Sequence, residues 1–453
     1  MFTPVAPSTF AEAALDQDIN PLLSDDMPEP CVIPRSKHGI SRKNIDPDAL
    51  RVLYRLQRHG FLAYLVGGSV RDLLLGKKPK DFDVSTDAHP NQVHRLFRNS
   101  RIIGRRFRLV QVFFPRDKLV EVSTFRKLSD QTDDAVLQAN NTFGTPAEDA
   151  LRRDLTINAL FYNIADFSVV DYVGGLSDLK AGLIRSVGEA DVRFHRDPVR
   201  VLRAVRHAAR AGFTLTPETQ TAVEEHRAEL ALCPESRIRD ELLRDLKGGA
   251  SAAWLELAHQ TGVLYSLLPN LEPIYAPPQS PERETARRML ALVDQEVAQG
   301  GLTDEAMILA AMLWPALEAK AAQVEFAPSR VGRVQWALFV REMLPYLGQP
   351  VAFAKRVVER ACQAGGLMAF VRIPDLNIRL PKKIAQKGYF IDACRLARLL
   401  GHDLEVLAGT RTQHDNPERH RRPRRLRPVP VRFSPEPCRS LRSPGSTGAG
   451  AAR

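Results

Sequence analysis

Two aspartates separated by one residue are the feature of this sequence that points most directly to chemistry. Asp81 and Asp83 flank Phe82 in a segment of strand-like composition. Side chains at i and i+2 of a strand project to the same face, so the two carboxylates would lie side by side. Like charges at that distance repel, and an oxygen-ligated divalent cation such as Mg²⁺ relieves the repulsion. A pair of such ions can activate an attacking hydroxyl and neutralise a leaving pyrophosphate.

A glycine turn lies a short distance upstream of these acids. Gly67 and Gly68 follow the apolar run 64–66 and precede a helical pattern over 70–75. Backbone N–H groups at such a strand–turn–helix junction can bind phosphate. Each signal is weak alone, because strand acids often face solvent and a Gly-Gly pair often only makes a turn. Together, at this spacing, they predict a phosphate site next to a metal site.

The segments around these residues predict an α+β fold, with a small mixed sheet in a head and an all-helical remainder. β-Branched and aromatic residues mark the strand-like segments 64–66, 82–84, 108–114 and 119–125. Thr145 and Glu148 form a capping-box pattern around Pro146, which predicts a helix start there. From Asp197 onward apolar residues recur at helical spacing, in the segments 197–211, 216–230, 236–247, 252–261 and 303–313.

The charge of the chain is unevenly distributed. Lys and Arg outnumber Asp and Glu by 64 to 53, and the segment 411–453 contains 11 Arg against three acids, so it carries +8 of the net charge of +11. A clustered basic segment is the electrostatic signature of a phosphate-backbone partner, and this sequence favours nucleic acid. The high Pro and Arg content of the same segment predicts disorder.

The composition also excludes several classes of protein. The five cysteines lie far apart and form no close pair, which indicates reduced thiols rather than a cysteine zinc site or a disulfide framework. The N-terminus lacks the basic and apolar regions of a secretory signal. The longest apolar stretch, 306–315, is far short of the roughly 20 residues that a membrane span needs. We therefore predict a multi-domain cytoplasmic protein with no membrane partner.

Five sequence blocks together resemble one known family. They read LVGGSVRD at 65–72, PKDFDV at 79–84, RRDLTINA at 152–159, DYVGG at 171–175 and DPVRVLRAVR at 197–206. This combination resembles the class II nucleotidyltransferases, which comprise the bacterial poly(A) polymerases and the CCA-adding enzymes. The resemblance is dense over residues 34–211, and it implies a polymerase-β-like nucleotidyltransferase head followed by a helical neck, body and tail.

We expect the chain to divide along these lines. The expected parts are a disordered leader at 1–33, a catalytic head at 34–186, a helical neck for base recognition and RNA binding at 187–250, a helical body and tail at 251–415, and a disordered Arg-rich tail at 416–453. The leader is rich in Pro, Ser and Asp without periodicity, which predicts disorder.

The resemblance implies a catalytic role for three acids. Asp81 and Asp83 would hold two Mg²⁺ ions, and a third carboxylate is expected beside them. Asp154, in the block RRD, ranks first for this role, and Glu121, in the strand-like segment 119–125, is the alternative. For Asp154 the competing interpretation is an ion pair with a neighbouring arginine.

Further residues are expected to bind the nucleotide. Phosphate would meet Gly67 and Gly68, and the triphosphate and ribose would meet Arg71, Arg153 and Asn158, because arginine provides planar, permanently charged donors. Structural ion pairing is the competing interpretation for both arginines.

The block at 197–206 is expected to read the base. In the family an Asp and an Arg at the positions of Asp197 and Arg200 do so without a nucleic-acid template, and Arg196 stands where the family usually has Glu. The arginines at 200, 203, 206 and 210 recur at helical spacing, which predicts one basic face.

Three features resemble the poly(A) polymerase branch. They are the block GRRFRLV at 104–110, the upstream segment VIPR at 32–35 and the Arg-rich end. The expected function is template-independent polyadenylation of RNA 3′ ends from ATP, in mRNA processing and RNA decay. Expected partners are ATP and RNA, with a monomer or transient association with RNA-decay proteins. The alternatives are a CCA-adding tRNA nucleotidyltransferase and a non-catalytic RNA-binding protein of the same fold.

Overall fold

The strands that the structure describes lie in the first half of the chain, where β-branched and aromatic residues alternate with polar ones. The structure, a computed structural model, describes residues 29–104, 108–127, 143–301, 304–373, 380, 382–402 and 404. All of them belong to one unit that spans residues 1–409. A second unit, 410–453, lies outside the described residues and includes the predicted Arg-rich tail.

Eight strands among the described residues form one mixed sheet. They are β1 (Cys31–Ile33), β2 (Ala63–Val66), β3 (Asp83–Thr86), β4 (Ser100–Ile103), β5 (Leu109–Phe114), β6 (Lys118–Thr124), β7 (Leu160–Asn163) and β8 (Val169–Asp171). Their order is β1-β8-β7-β2-β3-β6-β5-β4. The pairing of β3 with β6 is parallel and the other pairings are antiparallel. The short strands β9 (Leu183–Ile184) and β10 (Thr214–Leu215) pair separately.

Five α-helices are described between residues 47 and 181, and the first three of them contact the sheet. They are α1 (Pro47–Arg58), α2 (Gly68–Leu74), α3 (Pro90–Leu96), α4 (Pro146–Leu151) and α5 (Gly175–Ala181). The predicted start at Pro146 is confirmed, because Thr145 accepts from the Glu148 amide and Glu148 accepts from the Thr145 amide. Each of the four predicted strand segments starts one residue away from the observed strand. β3 begins at Asp83, so Asp81 lies two residues before the strand rather than on it.

The alternation of side chains gives the central strands two different faces. Val84 of β3 and Val122 of β6 are buried in the core together with α1. Asp83 and Glu121, which alternate with them, lie on the opposite face. The sheet therefore presents a polar surface backed by a well-packed apolar layer.

The remainder of the described chain is helical, as the spacing of apolar residues predicts. The helices are α6 (Ala190–Arg196), α7 (Val199–Ala211), α8 (Pro217–His226), α9 (Glu235–Leu246), α10 (Ser251–Gln260), α11 (Val263–Leu267), α12 (Glu272–Tyr275), α13 (Pro281–Ala298), α14 (Glu305–Ala321), α15 (Arg330–Leu347), α16 (Lys355–Leu367), α17 (Ala369–Arg372), α18 (Lys382–Ala385) and α19 (Gly388–Leu399). The predicted α+β architecture is confirmed. The predicted helix 216–230 differs, because α8 ends at His226 and a 3₁₀ turn, Arg227–Leu232, follows.

One helix forms the centre of the second half. α14 is buried from Ala306 to Leu317, including Trp314 and Pro315. A helix that is apolar on every side belongs inside a protein core. Within the part of the chain that the structure describes, no helix has the length and apolar character to cross a membrane.

Candidate active site

The two predicted acids lie at the start of β3, and a third acid joins them from the neighbouring strand. Glu121 of β6 is the register partner of Asp83. From β5, the Gln111 side chain donates from Nε2 to Glu121 Oε1 at 3.0 Å, which orients the carboxylate. Asp83 and Glu121 are neighbours across the strand pair, Asp81 lies two residues before Asp83, and all three supply the oxygen donors that hard divalent cations prefer.

The electrostatics of this acid cluster also favour a cation. Partial burial in the cleft raises the pKa of Asp83 to about 6, and the charges of Glu121 and Asp81 act in the same direction. Arg153 acts in the opposite direction. The Asp83 side chain nevertheless keeps an exposed side. An accessible carboxyl whose charged form is disfavoured by its neighbours gains stability when a divalent cation binds.

The glycine turn lies against two guanidinium groups. Gly67 has φ of +71°, in the region that favours glycine, and a Cβ there would lie 3.4 Å from Nη1 of Arg153. A Cβ on Gly68 would lie 3.4 Å from Nη2 of Arg71. Bare backbone beside two permanent positive charges is suited to phosphate oxygens.

Arg71 is held in place by side chains from three parts of the chain. Its Nε and Nη2 donate to Asp72 Oδ1 at 2.9 and 2.7 Å. Its Nη1 donates to Asn158 Oδ1 at 2.7 Å and to Nδ1 of His207, on α7, at 3.2 Å. Because arginine can only donate, the Nδ1 of His207 accepts, and the imidazole is neutral. Burial lowers the pKa of His207 well below its usual value, and nearby arginines add to this against the opposing charge of Asp154.

Arg153 is fixed from behind by a buried acid. Its Nε and Nη2 contact Asp149 Oδ2 at 3.2 and 2.9 Å, and its Nη1 donates to the Asn158 carbonyl at 3.2 Å. The Asp149 side chain has no exposed surface, and its Oδ1 also accepts from Arg152 Nε at 2.7 Å. Asp149 is not among the site residues predicted from the sequence. Its signal is the spacing of three and four residues to the two arginines, which aligns the charges on one helix face.

Asp154 lies in a different environment from the acids on the strands. Its Oδ2 accepts from Arg203 Nε at 2.6 Å. Burial alone raises the pKa of Asp154, but Arg203, together with His207 and Arg200, outweighs burial and holds the pKa far below its usual range. The ion-pair interpretation of Asp154 is therefore realised, although with Arg203 rather than with Arg152 or Arg153. The catalytic role of Asp154 stays a prediction.

The helix α7 connects the head to the helices that follow. Arg200, Arg203 and His207 face the head, where they contact the Arg153 carbonyl, Asp154 and Arg71 respectively. His207 is not among the residues predicted from the sequence, and its signal is its position four residues after Arg203 on the same face.

The other two arginines of α7 face α9 instead. Arg206 contacts Glu241 and donates to Asp245 Oδ1 at 2.9 Å, and Arg210 donates to the Arg244 carbonyl. Arg203 lies between the two groups, because it pairs with Asp154 and its Nη1 also lies 3.9 Å from Glu241 Oε1. The four arginines therefore form a row along one side of α7, as their spacing predicts, and the row contacts the head at one edge and α9 at the other.

The predicted base-reading pair lies where α6 meets α7. Asp197 follows the last residue of α6, and its Oδ1 and Oδ2 lie 2.8 and 2.9 Å from Nη1 and Nη2 of Arg237. Arg200 Nε is 3.8 Å from Asp197 Oδ2, and Arg200 Nη1 donates to the Arg153 carbonyl at 3.2 Å. The structure thus brings this pair next to the segment that carries Arg153.

Comparison with known proteins agrees with this arrangement. Residues 63–185 match the family described as "Poly A polymerase head domain", and residues 212–275 match "Probable RNA and SrmB- binding site of polymerase A". Poly(A) polymerase I of Escherichia coli O6:H1 is 40% identical over 341 residues, which are 73% of this chain and 73% of that protein. The chain belongs to the bacterial poly(A) polymerase family. It is therefore a nucleotidyltransferase.

The chain is also similar to CCA-adding enzymes. A CCA-adding enzyme of Bacillus licheniformis is 38% identical over 224 residues, 49% of this chain and 56% of that protein. The crystal structure of the Bacillus stearothermophilus CCA-adding enzyme in complex with CTP has a TM-score of 0.58 and 26% identity, and covers 81% of each chain. The region that matches the head domain contains Asp81, Asp83 and Glu121. The helix α7 lies between the two matched regions.

Proposed function

We propose that this protein adds adenylate from ATP to RNA 3′ ends without a template and releases pyrophosphate. The observation that carries the proposal is the pairing of Asp83 with Glu121, next to a glycine turn that two guanidinium groups contact. Nucleotidyl transfer needs a cation site and a triphosphate site next to each other. The similarity to poly(A) polymerase I over 73% of both chains supports adenylate as the nucleotide.

Mg²⁺ is the proposed cofactor, held by Asp81 and Asp83 with Glu121 as the third carboxylate. The all-oxygen donor set and the raised pKa of Asp83 support this choice. When bound, a pair of such ions lowers the charge on the phosphates and favours ionisation of the RNA 3′ hydroxyl. Gln111 orients Glu121 toward this task through its bond to Oε1. Asp154 is retained as a second candidate for the third position.

The chain's own residues would bind and orient the triphosphate. Arg71 and Arg153 provide charged donors beside the bare backbone of Gly67 and Gly68. Asn158 accepts from Arg71 through its side chain and from Arg153 through its carbonyl, so it holds the two guanidinium groups at a fixed separation. Its proposed part in nucleotide binding is thus to position both arginines.

Asp197 and Arg200 are the proposed readers of the base. A carboxylate accepts and a guanidinium donates, so the pair can address the polar edge of a base. The bond from Arg237 restricts the orientation of the Asp197 carboxylate. The presence of Arg196 before Asp197, in place of the family's usual Glu, adds a further positive charge to this region.

The remaining proposals concern the wider chain. The helices over 187–250 would bind RNA, which the match of residues 212–275 supports. The Arg-rich segment 416–453 would add phosphate contacts, and mRNA processing and RNA decay are the proposed cellular roles. Association with RNA-decay proteins would be transient.

A CCA-adding activity is the second candidate, favoured by the similarity to the Bacillus stearothermophilus structure. Purified protein would be incubated with Mg²⁺, each nucleotide separately, and either a generic RNA or a tRNA without its terminal CCA. We expect long extension of both RNAs with ATP and little with CTP, GTP or UTP. Addition of two C and one A to the tRNA, with no further growth, would assign the protein to the CCA-adding class. No extension with any nucleotide would support a non-catalytic RNA-binding role.

A further inference from the structure

A second cluster of ligating side chains lies outside the site described above. His226, at the end of α8, is 8% exposed, and its Nδ1 lies 2.9 Å from Glu229 Oε1. His195, on α6, places its Nδ1 3.2 Å from the same carboxylate. The two imidazole ring centroids are 5.8 Å apart. Two histidine nitrogens therefore converge on one carboxylate.

The other nitrogen of His226 has its own partner. Nε2 lies 2.8 Å from Asp191 Oδ1. A carboxylate accepts, so Nε2 carries a proton toward Asp191, and Nδ1 donates its own proton to Glu229 when no metal is bound. A metal ion would replace the Nδ1 proton and bind the lone pair directed at Glu229 and His195. A carboxylate behind a histidine is the arrangement that fixes the tautomer and orientation of histidines that bind metals. This bond is independent of the contacts that join the three converging groups.

We propose that His195, His226 and Glu229 bind a divalent transition-metal ion, for which Zn²⁺ is the best match. The ligands would be the two Nδ1 atoms and a carboxylate oxygen, all of which lie within 4.8 Å of one another. Two imidazoles and one carboxylate are a common three-residue set for zinc, with a fourth position open to water. Imidazole suits zinc and its neighbours, whereas Mg²⁺ prefers oxygen, so this site differs in chemistry from the Asp83 site.

The ion would tie α6 to the junction between α8 and the following 3₁₀ turn. His195 lies on α6, and Asp197 follows that helix directly. If His195 shared one ion with His226 and Glu229, the ion would restrict the motion of the segment 190–197, which ends at Asp197. The competing interpretation is a metal-free ion-pair cluster, in which a protonated His226 donates to both Glu229 and Asp191.

The test measures Zn²⁺ binding to the full chain by titration calorimetry in excess Mg²⁺. The main variant is His195→Ala, because the His195 side chain is 72% exposed and its loss leaves the fold intact. Glu229→Gln removes the carboxylate ligand, and His402→Ala removes an exposed histidine elsewhere. We expect one equivalent of bound Zn²⁺ to be lost in His195→Ala and Glu229→Gln and retained in His402→Ala. Equal stoichiometry and affinity in the wild type and His195→Ala would overturn the proposal.

A second variant and a second measurement make the result specific. Asp191→Asn should weaken Zn²⁺ binding about 10–100-fold, as expected when the partner behind a metal-bound histidine is changed. Zn²⁺ should also slow amide hydrogen exchange over residues 190–197 in the wild type and not in His195→Ala. The Asp83→Asn variant should bind Zn²⁺ at this site as the wild type does. Failure of Asp191→Asn to weaken binding and unchanged exchange would leave only the ion-pair cluster.

Discussion

Glu121 lies directly opposite Asp83 in the parallel pairing of β3 with β6, and Gln111 holds one of its carboxylate oxygens from β5. A third acid therefore reaches the Asp81–Asp83 pair by strand pairing, on a face whose reverse side is packed by Val84 and Val122. The strand pairing fixes the positions of Asp83 and Glu121, and the repulsion among the three carboxylates favours the binding of a cation.

Removal of a strand acid should abolish activity without loss of the fold. Asp81→Asn or Asp83→Asn should lower adenylate addition by at least about a hundredfold, because losing a direct metal ligand costs more than the 10–100-fold typical of a change behind one. In EDTA, Asp83→Asn should raise the melting temperature. The raised pKa means that the folded state disfavours the carboxylate charge that is present at neutral pH, and asparagine removes that charge. Extension assays and thermal scans measure both effects. Asp240→Asn, which alters an exposed acid, is the control, and near-normal extension in the Asp83 variant would exclude the metal assignment.

Asp154 and Arg203 should be coupled in stability. Asp154→Asn should reduce the free energy of unfolding by about 3 kcal/mol, the lower end for breaking a buried pair, because the Arg203 side chain is 35% exposed. A double-mutant cycle with Arg203→Met, followed by urea unfolding, measures the coupling. Additive losses would contradict the ion pair. A complete loss of extension with unchanged stability would instead support Asp154 as the third catalytic acid.

The neutral imidazole of His207 should support ATP binding through Arg71. His207→Phe removes the acceptor for Arg71 Nη1, and we expect the KM for ATP to rise about tenfold, in line with a hydrogen bond to a charged group. His207→Asn supplies an oxygen near the position of Nδ1 and should restore most of the affinity. Steady-state kinetics measure KM and kcat separately. An unchanged KM in His207→Phe would show that Asp72 and Asn158 alone are sufficient to position Arg71.

The pairing of His226 predicts a pH dependence of stability in the absence of metal. Burial alone lowers its pKa, but hydrogen bonds to Glu229 and Asp191 outweigh burial and raise it. A histidine pKa that is higher in the folded than in the unfolded protein stabilises the fold. The stabilisation is complete below the unfolded-state pKa of about 6.5 and disappears as the pH rises through the folded-state pKa. Urea unfolding in EDTA between about pH 6 and pH 9 should therefore show a fall in stability that His226→Gln lacks. Parallel pH profiles for the two proteins would refute the raised pKa.

The Arg-rich segment should affect RNA binding rather than the chemical step. Deletion of residues 416–453 should weaken RNA affinity and shorten the products, because the segment 411–453 carries +8 of the net charge of +11. The log–log salt slope is about −0.7 per neutralised phosphate for single strands, so the truncated protein should show a shallower slope. RNA affinity at several salt concentrations measures this. Identical slopes and affinities would assign the segment to another partner.

The sequence by itself determined the features that depend on near neighbours. The strand that carries Asp83, the glycine turn before α2 and the capping box at Thr145 follow from β-branched composition, backbone freedom and local hydrogen bonds. Such features depend on only a few consecutive residues, so they can be predicted without knowledge of the fold. The family resemblance rests on the same short blocks.

The tertiary structure decided which distant groups meet. From the sequence, Glu121 is only the alternative to Asp154 beside the acid pair, and nothing near Asp154 indicates Arg203. The register that pairs Glu121 with Asp83 and the packing that brings Arg203 to Asp154 are set by the burial of the whole apolar core. The same holds for α7, whose row of arginines contacts the head through Arg200, α9 through Arg206, and both through Arg203. A periodic pattern determines which side chains share a helix face, whereas the elements that pack around the helix determine what each face contacts.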